Sequence, residues 1–181
     1  MSINNFQVVT YPRSGLNFLM SLLWQQGYTV SAFHVFTGID KSTRILTIAR
    51  NPIDSISSYF GRVTTYKKQF DYPTIDSMLQ KYIETYTWLI ENYDYIIDYQ
   101  DLVSNPNSTI EKLLGYFDMP HKDMEYKLDL VNQDPAKKYL LSSKNTEWYQ
   151  ASREYLVSAK LIDEANDIYR QMLFANWVQG F

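Results

Sequence analysis

The amino-acid sequence predicts a three-layer α/β domain, a mainly parallel sheet flanked by helices. Three observations point there. Short apolar runs at 6–11, 44–49 and 95–99 alternate with segments of helical spacing, the order that builds a sheet joined by crossover helices. The run 44–49 is almost continuously apolar, as suits a strand covered on both faces. Twice, at Arg13 and at Arg50, a strand ends in a cation with hydroxyl-bearing neighbours and passes straight into a helix.

Taken in order, residues 6–11 read as a strand entering a loop. Leu16, Leu19, Met20, Leu22 and Leu23 recur with helical spacing, and Gly27 is placed to stop that helix. Residues 28–33 read as a short strand. After the strand at 44–49, Asn51 is a good N-cap and Pro52 suits the first helical position, so a helix runs from about 52 to 62. The polar and aromatic stretch 63–73, with Gly61 before it and Pro73 at its end, reads as a mobile loop. A helix at 74–92 leads to the strand at 95–99, and Asn105-Pro106 repeats the cap-plus-proline device to open a helix over 106–117. A short helix at 121–131, a loop at 132–146 and one or two helices over 147–178 follow. No repeat, linker or low-complexity tract interrupts the chain, so 1–181 reads as one domain.

Composition narrows the function. With 45% hydrophobic and 20% charged residues the chain is globular in type. A net charge of −3 and no Lys/Arg cluster disfavour duplex nucleic acid as a partner. There are no cysteines and two histidines, so no metal-ligand spacing is recognisable. No basic leader, and no apolar run long enough to span a membrane, appears. The expectation is a cytoplasmic protein with no membrane partner and no metal.

The first loop, Thr10-Tyr11-Pro12-Arg13-Ser14-Gly15-Leu16-Asn17-Phe18, aims backbone N–H groups at one spot. A helix N-terminus there carries roughly half a positive charge. Gly15 permits close approach of a ligand to the backbone, Arg13 adds a fixed cation, and Ser14 and Asn17 add polar groups. A phosphate or sulfate suits this socket; a tight turn with a surface arginine would leave the same pattern. The loop lacks the first glycine and the Gly-Lys-Ser/Thr ending of an ATP-binding P-loop, which disfavours a nucleotide kinase. In the second loop Arg50 ends its strand, and Ser58 lies about two turns into the next helix. Arg50 can fork onto a phosphate or pair with Asp54. Two such loops side by side suit a ligand with a phosphate at each end.

These two segments resemble those of sulfotransferases that use 3′-phosphoadenosine 5′-phosphosulfate (PAPS). That family carries Thr-Tyr-Pro-Lys-Ser-Gly-Thr-x-Trp around the 5′-phosphosulfate and Arg-Asn-Pro-x-Asp-x-x-x-Ser around the 3′-phosphate. Thr10–Phe18 and Arg50–Ser58 are similar to them. Asp98-Tyr99-Gln100-Asp101-Leu102, with Asn105-Pro106 and Leu113-Leu114, resembles a later family region, and Ser142-Ser143-Lys144 resembles its late nucleotide-contacting loop.

The resemblance implies a P-loop-like fold and a short, divergent member that moves a sulfuryl group to a hydroxyl or amine, with 3′-phosphoadenosine 5′-phosphate (PAP) as product. It implies a nucleotide site of Arg13, Ser14, Gly15, Leu16, Asn17, Phe18, Arg50, Ser58, Tyr99, Ser143 and Lys144. Arg13 stands where the family has a lysine on the leaving group, and Phe18 where a tryptophan packs on adenine. His34 falls where the family places its catalytic base within Lys-Thr-His-Leu-Pro, of which only the histidine is present here; it could also be a packed residue among Phe33, Val35 and Phe36. Asp40 is the fallback base, and His121 reads as a surface or capping residue. The acceptor, a small molecule, glycan or peptide, would sit between walls at 61–73 and 132–146. The short chain suggests an open cleft and hence a large or exposed acceptor. A non-catalytic PAP- or PAPS-binding module of the same fold is the alternative.

Overall fold

The computed structural model describes residues 5–34, 38–67, 72–123 and 147–179. Its strands are β1 (Asn5–Val9), β2 (Thr29–Phe33), β3 (Arg44–Ala49) and β4 (Tyr95–Asp98). They form one sheet in the order β2-β1-β3-β4, with every pair parallel. The helices are α1 (Leu16–Gln26), α2 (Pro52–Lys67), α3 (Tyr72–Asn92), α4 (Tyr99–Ser104), α5 (Pro106–Tyr116), α6 (Glu147–Val157) and α7 (Ile162–Gln179).

Side chains alternate across a strand, so the sheet divides the core in two. Phe6, Val8, Leu46, Ile48, Tyr95 and Ile97 pack with α1, α4 and α5. Val9, Ile45, Ala49 and Ile96 pack with α2, α3, α6 and α7. This is the three-layer arrangement with a parallel sheet that the sequence predicts. Register places Val9 beside Phe33 and Ala49 beside Asp98, so the loops after β1, β3 and β4 leave from one edge. At the outer side of β4 the Ile96 N–H is met by Gln179 Oε1 at 3.0 Å, which blunts an otherwise open sheet edge.

Three elements differ from expectation. The helix begun by Pro52 runs to Lys67, and the next starts at Tyr72, so of the loop expected at 63–73 residues 63–67 and 72–73 are helix, and 68–71 lie outside the described residues. Gly61 does not end α2: an interior glycine costs about 1 kcal/mol relative to alanine, which the buried Ile56 and Phe60 outweigh. Tyr99 does not end β4 but opens α4, because Asp98 caps it by accepting from Gln100 N at 2.9 Å. Residues 121–123 have no regular structure, and the rest of the expected helix at 121–131 lies outside the described residues, as does all of 132–146. Among the described residues, no helix is long and apolar enough to cross a membrane.

Candidate functional site

From β1 the chain moves out to β2, then returns past β1 to form β3. In an open parallel sheet such a reversal opens a crevice at the C-terminal ends of the two strands beside it, here β1 and β3. Both motif-bearing loops stand there.

The loop after β1 is shaped by its backbone. Arg13 has φ 68° and Gly15 φ 98°, two left-handed residues that turn the chain from β1 into α1. For Arg13, with its Cβ, that conformation is uncommon and is held by surrounding contacts. Gly15 caps α1 without a side chain, and no acidic residue stands in the first turn. Among the described residues, the first N–H groups of α1 therefore have no side-chain cap. Gly15 also fits closely: a Cβ there would lie 3.0 Å from Tyr99 Cδ2. Ser14 is fully buried, its hydroxyl 3.0 Å from Tyr86 OH, and its N–H donates to Tyr11 O at 3.3 Å. Leu16 is a core residue, Phe18 packs half-buried against the same core, and Asn17 is exposed.

The loop after β3 is built from side chains. Asn51 Oδ1 accepts from Ile53 N at 3.0 Å and Asp54 N at 3.3 Å, so α2 is already capped. Arg50 is 6% exposed. Its Nη1 donates to the carbonyl of Arg13, its guanidinium lies 4.2 Å from the Tyr99 ring centroid, and its buried Nε has no hydrogen-bond partner among the described residues. Asp54 pairs with Arg153 rather than Arg50. From α2, the buried Ser58 accepts from Arg13 Nε at 3.2 Å. The two loops, 45 residues apart at this bond, thus meet as one cluster.

Both loops rest on α3. Tyr82 donates to Arg50 O at 2.7 Å, and Tyr86 donates to Ile48 O at 2.7 Å. With its proton so used, Tyr86 accepts from Ser14, and Thr10 Oγ1 lies 3.2 Å away. Tyr82, Tyr86 and Tyr11 are all buried, and burial raises the pKa of each, so the Tyr82 and Tyr86 hydroxyls stay protonated as donors.

Arg13 has its pKa lowered to about 10, first by burial and then by Arg62 and Arg50. Arg62 is thus near enough for its charge to act on Arg13, and it is a cation that the sequence reasoning did not single out. Arg62 is exposed, one helical turn beyond Ser58 on α2. Its four-residue spacing from Ser58 was the available signal. Among the described residues, neither Arg50 nor Arg62 is within ion-pairing distance of a carboxylate.

His34 follows β2, on the flank of β1 opposite to Arg50. It is exposed rather than packed. Its Nδ1 lies 2.9 Å from Thr10 O. A carbonyl only accepts, so Nδ1 is the donor in this bond, and Nε2 is the nitrogen left to face a ligand. Asp40 is committed to its own turn, accepting from Ser42 N, Ser42 Oγ and Thr43 Oγ1. Those bonds lower its pKa, the Ser42 hydroxyl most, which makes it a poor base. His121 lies 3.9 Å from Asp123, far along the chain from the crevice. Ser143 and Lys144 lie outside the described residues. A separate cavity of about 380 Å³ lies along β4, lined in part by Tyr95, Asp101, Lys112 and Trp177, and takes no residue from the two loops.

Fold and site together define a parallel α/β domain whose two arginine-bearing loops meet at a strand-order reversal. No protein-family model and no curated protein sequence matches the chain. Among solved structures it is similar to mouse sulfotransferase SULT7A1 complexed with PAP, at 12% identity and a TM-score of 0.48, over 86% of this chain and 90% of that one.

Proposed function

We propose that the chain binds PAPS in this crevice and transfers its sulfuryl group to a hydroxyl or amine acceptor. The observation that carries the reading is the union of the two sulfotransferase-like segments through Arg13, Arg50 and Ser58. The residues present suit the nucleotide. The unpartnered Nε of buried Arg50 is a donor awaiting an acceptor, and the uncapped start of α1 is a ready anion site.

PAPS, when bound, supplies the activated sulfuryl group. Arg13 and the first N–H groups of α1 hold the phosphosulfate end and offset charge that builds on the leaving oxygen, an electrostatic role set up before reaction. Arg50 and Ser58 hold the 3′-phosphate, with the Tyr99 ring steadying the Arg50 guanidinium, 4.2 Å from its centroid. His34 accepts the acceptor's proton at Nε2, its ring fixed by Thr10 O. The acceptor is a small molecule, glycan or peptide.

Calorimetry with PAP tests the binding. Arg50→Ala should weaken affinity by about 1.5–3 kcal/mol, the size of a hydrogen bond to a charged group. The smaller truncation Ser58→Ala should cost less and guards against misfolding of the first. Unchanged affinity in both removes the second loop from the site. One observation favours the non-catalytic alternative: the family's lysine is here Arg13, which keeps the charge but not the shape. Labelled PAPS with a broad acceptor panel separates the two. Transfer lost in His34→Ala with PAP still bound supports the enzyme; no transfer to any acceptor by a PAP-binding wild type supports the module. Tight ATP–Mg²⁺ binding without PAP affinity would instead favour a kinase.

A further inference from the structure

We infer that Arg62 is a third anion-binding residue of the crevice, placed to make it select ligands carrying phosphate-type charge at two positions over those carrying one. The inference deepens the reading above and rests on it for the identity of the nucleotide.

Residues four apart on a helix share a face, with Cβ atoms about 5–6 Å apart. Ser58 on α2 is buried and receives Arg13 Nε at 3.2 Å. Arg62, one turn on, is exposed. The face of α2 that meets the first loop at Ser58 thus comes out to solvent at Arg62, one turn further on. The lowered pKa of Arg13, to which Arg62 contributes, agrees with that closeness.

The charge pattern is the second argument. The chain has 20 acidic and 17 basic residues, so carboxylates are not scarce. Arg153, which also lies against α2, is matched by Asp54. Arg62 and Arg50 have no carboxylate at ion-pairing distance among the described residues and stand instead beside a third arginine. Like charges held together in a crevice focus a field that a multiply charged anion offsets best. If Arg62 were merely a solvated residue of α2, ligand affinity would not depend on it.

The test compares wild type, Arg62→Gln and Arg62→Lys by calorimetry with PAP, adenosine 5′-monophosphate and inorganic pyrophosphate. Arg62 is exposed, so both variants should fold, which circular dichroism checks. Arg62→Gln should weaken PAP binding about tenfold, the low end for a lost charged hydrogen bond, and narrow the preference for PAP over the monophosphate. Arg62→Lys should recover part of the loss. PAP affinity unchanged in Arg62→Gln overturns the inference and leaves the proposed function standing. Pyrophosphate bound by wild type and weakened in Arg62→Gln, with no PAP binding in either, supports the role of Arg62 and overturns the nucleotide reading. A wild type that binds neither ligand overturns both.

Discussion

In the loop after β1 the groups that face an anion are mainly main-chain ones; in the loop after β3 they are side chains. The two segments look alike in sequence, each a strand end, an arginine and a helix start. At α1 the cap is Gly15, with no side chain to satisfy the first turn, and Ser14 is turned inward to Tyr86. At α2, Asn51 occupies the first N–H groups itself, so Arg50, Ser58 and Arg62 are what remains to grip a ligand. Two strand–loop–helix units therefore make unequal sockets. One relies on where the backbone is held and the other on which side chains are present, so mutations should separate them.

The largest effect is expected at Gly15, where the backbone socket is most tightly made. Gly15→Ala places a Cβ at φ 98° and 3.0 Å from the Tyr99 ring. A strained residue of this kind costs about 1–3 kcal/mol, and displacing Tyr99 disturbs its stacking on Arg50, so PAP affinity should fall with stability. Gly38→Ala is the control, since Gly38 also has positive φ but nothing within 4 Å of an added Cβ. Urea denaturation should show Gly15→Ala as the more damaging of the two. Equal losses would mean that backbone strain alone, and not the Tyr99 contact, sets the cost.

Tyr86→Phe comes next. It removes the hydroxyl that joins Ser14 to Ile48 O and takes its partner from the buried Ser14 hydroxyl, at about 1–3 kcal/mol, while Ile48 O keeps Thr10 Oγ1 at 3.2 Å. Tyr82→Phe likewise removes a donor, the one to Arg50 O. Denaturant midpoints should fall in both. PAP affinity should fall more in Tyr86→Phe, because a loop whose donors are backbone groups depends more on its support. A larger affinity loss in Tyr82→Phe would reverse the contrast.

Local signals were legible in the sequence, and convergence was not. The strand 44–49 is found because both its faces are covered. Gly27 ends α1 as a left-handed cap, its N–H reaching Leu23 O and Trp24 O, and Asn51-Pro52 opens α2. The cap that starts α4 was present too, in Asp98, but its apolar run hid it. The end of α2 was missed because polar and aromatic residues after a glycine resemble a loop until packing is known. At the site, Arg13, Arg50 and Ser58 are visible as types, whereas the Arg13–Ser58 bond depends on how α2 passes over the first loop. Tyr82 and Tyr86 look like ordinary core aromatics, and what their hydroxyls do is set by where α3 docks.

The smallest effect is the sharpest check on the contrast. Asn51→Ala removes the side chain that caps α2, a loss of about 1 kcal/mol of stability. It also frees the Ile53 and Asp54 N–H groups. If the second socket works through side chains, PAP affinity should stay near that of wild type while the denaturant midpoint drops. If the freed N–H groups can reach the ligand, affinity should instead rise, because an uncapped helix start adds donors and partial positive charge beside Arg50. A rise would make the two loops equivalent in kind, with Asn51 merely masking in one what Gly15 leaves open in the other.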